Sequence, residues 1–203
     1  TWGVNFSQKQ AQNLGLDWKK TYLDILDDLK VKKIRISAYW DIIEKEEGKY
    51  NFDDLDWQIK EAEKREADII LAVGMKTPRW PECHAPGWVK NKETNVRSQK
   101  LLDYVKTIVE KYKSSPAISI WQVENEAFFT FGDCPKPDKN LLKEEINIVK
   151  KSSQNGQKVL ISDSGEGSFW IRSARLGDIV GISMYRKVWF GEWKRYVKYP
   201  LPP

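Results

Sequence analysis

The chain has 203 residues, 40% of them hydrophobic, which suits one domain with a full core and is short for two. Its 34 Lys and Arg stand against 29 Asp and Glu, and the net charge of +5 is spread along the chain without a basic run, so a nucleic-acid partner is not expected. No apolar stretch approaches the roughly 20 residues of a membrane span, so no membrane partner is expected either.

In chain order, Gly3 to Phe6 read as a short extended segment, and Trp18, Tyr22, Ile25, Leu26 and Leu29 then recur at helical spacing. Lys33 to Ser37 is a β-rich run, followed by a helix marked by Leu55, Ile59 and Ala62 whose start is signalled by Asp53-Asp54. Ile69 to Val73 pairs in the same way with a helix carrying Leu101, Val105, Ile108, Val109 and Tyr112. Ala117 to Val123 precedes a helix with Leu142, Ile146 and Val149, which Asn155-Gly156 stops. Val159 to Ser162 is a fifth strand, Trp170 to Leu176 a short helical stretch, and Asp178 to Met184 a sixth strand before the proline-rich segment at 199–203.

Strands alternating with helices imply a parallel sheet, either open and doubly wound or closed into a barrel. No Gly-rich phosphate loop follows the first strand, and polar or aromatic residues sit at the carboxyl end of nearly every strand, where barrel enzymes keep their chemistry. The expected fold is therefore α/β, a (β/α)8 TIM barrel of which residues 1–203 form a single partial domain. A full barrel takes about 250 residues and eight strands. About six units are counted here, so the seventh and eighth are expected to be missing and the chain to be a fragment of a longer protein.

Cys83 and Cys134 lie outside the periodic segments, and with His84 the only histidine they cannot complete a closed zinc site. Two unpaired thiols and a loop-to-loop disulfide both remain open. No metal or other cofactor is expected, which also argues against metal-dependent sugar isomerisation, a chemistry that needs several converging His or acidic ligands.

The segment Trp121-Gln122-Val123-Glu124-Asn125-Glu126 is an apolar strand that ends abruptly in amide and carboxylate groups. Neighbouring side chains of a strand face opposite ways, so Asn125 and Glu126 can both reach a barrel mouth only if the strand bulges or ends there. The segment resembles the fourth-strand signature of clan A glycoside hydrolases. A second block, Trp40, Glu44, Gly48, Tyr50, Phe52, Leu55 and Asp56, followed by Pro78, Trp80 and Pro81, is similar to the β-galactosidases of families 35 and 42. Lys45 stands where those families commonly have proline, and the cysteine cluster of some family 42 members is absent.

The resemblance implies a retaining hydrolase of β-linked sugars, with Glu126 as general acid/base and Asn125 as the ligand of the sugar 2-hydroxyl. Such enzymes set two carboxyl groups roughly 5–5.5 Å apart, one attacking the anomeric carbon while the other protonates the leaving oxygen. The clan's nucleophile is a Glu ending the seventh strand, so none is assigned here, and the chain alone is expected to be inactive. Glu166 follows the fifth strand and has no such role by the resemblance.

Arg35, between Ile34 and Ile36, is expected to point into the barrel and to need a carboxylate partner. It resembles the clan's second-strand Arg that holds the nucleophile, and Tyr185 resembles an active-site aromatic. The chain has ten tryptophans, of which Trp40, Trp80, Trp88, Trp170, Trp189 and Trp193 fall in or beside expected loops. Flat aromatic faces suit the C–H faces of sugars, so Trp40 and Trp80 join Arg35, Asn125 and Tyr185 as candidate substrate-binding residues. Glu82 and His84 could line the same cleft, although a solvated loop is the plainer reading for each. The partner expected is an oligo- or polysaccharide; the sequence does not fix the compartment, with an extracellular or periplasmic setting favoured over a cytoplasmic one. A catalytically silent saccharide-binding barrel is the alternative.

Overall fold

The computed structural model describes residues 2–154, 156–165, 170–183, 185, 187–190 and 193–198. Asn155, Glu166, Met184 and residues 199–203, each used in the sequence reading, lie outside the described residues.

The strands are β1 (Val4–Asn5), β2 (Lys33–Ser37), β3 (Asp68–Val73), β4 (Ile118–Val123), β5 (Lys158–Asp163) and β6 (Ile179–Ile182). All five pairings are parallel, and the order in the sheet is the order in the chain, β1 to β6. A doubly wound sheet reverses direction at its first strand. With no reversal here, each strand simply adds beside its predecessor, as in a barrel wall.

Register separates the two faces of the wall. Ile36, Leu71, Trp121 and Val159 share one row across β2, β3, β4 and β5 and are almost fully buried under the helices. Arg35, Ile70 and Ile120 share the neighbouring row and point to the lumen, where all three are only partly buried.

The covering helices are α2 (Trp18–Asp27), α4 (Asp53–Glu63), α6 (Thr94–Tyr112) and α7 (Lys139–Ser152), with the one-turn α8 (Ile171–Ala174) after β5. Asp17 starts α2 by accepting the Lys19 and Lys20 N–H groups, and Asp138 starts α7 by accepting those of Asn140 and Leu141. Each long helix buries one stripe, Leu101, Tyr104, Val105, Ile108, Val109 and Tyr112 in α6. Three short helices were not expected: α1 (Gln8–Asn13), α3 (Trp40–Ile43) and α5 (Gly87–Lys90). Each is too brief to display a helical period. The antiparallel hairpin of Lys187–Phe190 with Arg195–Lys198 was not expected either. It moves Trp189 from a loop onto a strand.

Candidate active site

The β4 strand ends at Val123, and the next three residues form a tight turn in which Glu124 and Glu126 both adopt left-handed backbone, φ +56° and +48°. Such conformations cost non-glycine residues on the order of 1–3 kcal/mol each and persist only where neighbours enforce them. Here Glu124 N–H donates to Val73 O at 2.9 Å, Asn125 N–H to Lys76 O at 2.7 Å, and Glu126 N–H to Ser162 Oγ at 2.8 Å. The turn answers the question posed by strand alternation. Glu124 is buried on the helix side, while Asn125 and Glu126, adjacent in sequence, both line one cavity of about 880 Å³ at the carboxyl rim.

Within that cavity Ser183 Oγ donates to Glu126 Oε1. Asn125 Nδ2 donates to Glu82 Oε2 at 3.1 Å, and Asn125 Oδ1 accepts from Gln122 Nε2 at 3.3 Å. Glu82 is 9% exposed, and burial pushes its carboxyl above the usual range against the opposing effect of the Asn125 hydrogen bond. It lines the cavity and is not the solvated loop residue expected.

His84 is also buried, but behind the cavity. Lys9 Nζ lies 2.9 Å from Nδ1 and Arg79 O lies 3.1 Å from Nε2, an arrangement that suits a neutral ring donating through Nε2. Desolvation, then the Lys9 charge, lower its pKa to about 4.

The cysteines are paired. Cys83 and Cys134 form a disulfide that joins the loop after β3 to the loop after β4. Gly132 sits at the same junction with φ +83°, where an added Cβ would come within 2.5 Å of Pro81 O, so the two loops touch backbone to backbone.

Arg35 enters the lumen as expected, but its partner differs. Nη1 donates to the Gln122 amide oxygen at 3.0 Å, and buried Nε has no hydrogen-bond partner among the described residues. No described carboxylate forms an ion pair with it. Burial, then the charge of Arg79, lower its pKa.

Trp40 is the clear departure. It is fully buried, stacks on Tyr104 at 5.3 Å, and gives its Nε1–H to Glu44 at 2.7 Å, so it does not face the cavity. The cause is local: the short helix after β2 turns the Trp40 ring back under α6. By contrast Trp80, Tyr185 and Trp189 are more than half exposed and line the cavity, whereas Trp88, Trp170 and Trp193 do not line it.

Phe129 and Phe131, stacked at 6.0 Å, complete an aromatic wall with Trp80 and were missed. The run Phe128-Phe129-Thr130-Phe131 just after Asn125-Glu126 was the available signal. Ser162 and Ser183 had none, because a lone serine at a strand end is commonplace. Among the described residues no group of three or more His, Cys, Asp or Glu side chains is arranged to hold a metal.

The sequence profile of glycosyl hydrolase family 10 matches residues 10–148. The chain belongs to that family. β-Galactosidase BgaA of Clostridium cellulovorans is 26% identical to it over 174 residues, 75% of this chain and 26% of that protein. Among solved structures, a GH5_18 protein of Streptomyces cattleya in complex with GlcNAc superposes with a TM-score of 0.68 at 16% identity, covering 90% of this chain and 50% of that one. A family 10 endo-β-1,4-xylanase of Gloeophyllum trabeum gives 0.66 at 16% identity, covering 90% of this chain and 61% of that one. These likenesses identify the fold as a (β/α)8 barrel of which this chain spans six strands. They fall within clan A, the group that the Asn125-Glu126 motif resembles. Families 35 and 42 were the nearest in motif, and the profile match is to family 10 of the same clan. This family 10 chain spans about a quarter of the curated relative and about half of the first structure.

Proposed function

We propose that this family 10 chain supplies the acid/base side of a retaining glycosidase acting on β-linked sugars. The observation that carries the reading is the β4 turn, which directs Asn125 and Glu126 together into a cavity walled by Trp80, Phe131, Tyr185 and Trp189. In this reading Glu126 protonates the glycosidic oxygen as the bond breaks and then takes a proton from the incoming water. Ser183 Oγ, bonded to Glu126 Oε1, fixes which carboxyl oxygen faces the substrate. Asn125 holds the sugar 2-hydroxyl, its amide oriented by Glu82 and Gln122. Arg35 holds the attacking carboxylate, for which its unpartnered Nε is free. The exposed aromatic faces bind the sugar rings.

The names of the relatives point to β-galactosides and β-1,4-xylo-oligosaccharides as the first substrates to try. The Cys83–Cys134 disulfide favours an oxidising compartment outside the cytoplasm. The test uses protein expressed from the complete gene on a panel of aryl β-glycosides. Glu126→Gln should lower turnover of the best substrate by about 10²–10⁴ while calorimetry finds sugar affinity retained. Unchanged turnover would refute the assignment, and sugar binding without turnover in the unmutated protein would favour the silent barrel.

A further inference from the structure

Glu124 is the one acidic residue of the β4 turn that does not reach the cavity, yet it is the best anchored. Its Oε1 accepts the Met75 N–H at 2.7 Å and its Oε2 the Lys76 N–H at 2.6 Å. Lys76 in turn offers its carbonyl to the Asn125 N–H at 2.7 Å. The Lys76 ammonium reaches back to Phe129 O at 2.6 Å and Glu126 O at 3.2 Å. A closed circuit results: the Glu124 carboxylate fixes the Lys76 peptide, and Lys76 fixes both residues that follow Glu124.

Room for this circuit is built in just past the end of β3. Gly74, with φ +121°, lies where an added Cβ would come within 2.3 Å of Glu124 Oε1. Behind it stands Glu145 of α7, 2% exposed, whose carboxyl faces that of Glu124 and whose buried Oε1 has no hydrogen-bond partner among the described residues. Burial holds both carboxyls above their ordinary range. The two backbone N–H groups favour the anion at Glu124, while the charge of Glu124 pushes the Glu145 carboxyl further up. Two buried carboxyls are a costly way to stabilise a turn when apolar packing would serve. Their arrangement makes sense if the turn must be held in one geometry.

We infer that Glu124 is a positioning residue, which sets the aim of Glu126 by locking the left-handed turn against the Gly74-Met75-Lys76 segment, with the buried Glu145 behind it. This rests on Glu126 being the general acid. A misaimed acid slows bond cleavage in proportion to how much the leaving group needs a proton. A merely destabilised protein loses turnover equally on every substrate.

The experiment compares kcat/KM for a 2,4-dinitrophenyl glycoside, whose leaving group needs no proton, with that for the phenyl glycoside of the same sugar, which does. Glu124→Gln keeps the shape but presents an amide N–H to a backbone N–H. It should widen the dinitrophenyl-to-phenyl ratio at least tenfold over wild type, with KM for either substrate within about threefold. If that variant does not accumulate folded protein, Glu124→Asp, which keeps the charge but reaches only one N–H, decides by the same ratio. A ratio within twofold of wild type overturns the inference. Glu126→Gln is the control: a widened ratio there with none for the Glu124 variants refutes the positioning role alone, and no widening there refutes the general acid and this inference with it.

Discussion

Replacing both Cys83 and Cys134 by Ser probes the tie between the two loops that supply the aromatic wall. The disulfide closes a loop with a sequence separation of 51. On the chain-entropy relation, opening a loop of that length returns about 4 kcal/mol of freedom to the unfolded state, an upper figure because native strain and residual unfolded structure usually reduce it. Contacts other than the disulfide hold the loops as well: Asp133 N–H donates to Pro81 O at 3.0 Å, and Phe131 packs on Trp80. The serine pair should therefore fold, with a urea midpoint corresponding to a loss of about 2–4 kcal/mol, and dithiothreitol should move wild type by the same amount and leave the variant alone. Phe129 and Phe131 should be less well ordered, so KM should rise several-fold while kcat changes less. A wild-type midpoint that dithiothreitol does not move, with both thiols shown to be reduced, would refute the reasoning.

Two tryptophans should separate cleanly. Trp80→Ala, at an exposed position, should raise KM about fivefold, the equivalent of about 1 kcal/mol of stacking, with an unchanged melting temperature. Trp40→Ala should instead cost about 3–5 kcal/mol of stability, read by denaturant melts, and should affect binding only through folding. His84 gives a pH dependence. Its unfolded imidazole titrates near 6.5 and the folded one at about 4, so the native state binds fewer protons in between. Stability from this residue is full above pH 6.5 and declines by about 3 kcal/mol as the pH falls to 4. Melts of His84→Asn over that range should be flatter than those of wild type.

The wall of the barrel was legible because Ile34, Ile36, Ile69, Leu71 and Val159 are buried under amphipathic helices, and burial writes a period into sequence. The hairpin carrying Trp189 was not legible, since its strands, Lys187–Phe190 and Arg195–Lys198, are largely exposed and no buried face imposes an alternation on them. At the site, Asn125 and Glu126 could be named from their motif, and the need for a bulge could be deduced from strand alternation. The left-handed turn that meets that need depends on Gly74, Lys76 and Ser162, which are remote in sequence and carry no pattern of their own. Trp40 failed for a related reason. Proximity to a strand end does not tell which way a one-turn helix rotates a ring. Arg35 was aimed correctly, but Gln122 was overlooked as its companion because an amide inside an apolar strand reads as a blemish until it is paired.

The unbroken succession of neighbours from β1 to β6 bears on how the chain reaches its native state. Every strand docks on the one synthesised just before it, so structure can accrete behind the ribosome without waiting for a distant segment. The growing edge is always the newest strand. Within the sheet described, β6 is the last strand to join, on β5. A charged substitution at Ile179 or Val180 should therefore leave the earlier strands free to assemble, whereas the same change at Ile34 should disturb docking from β2 onward.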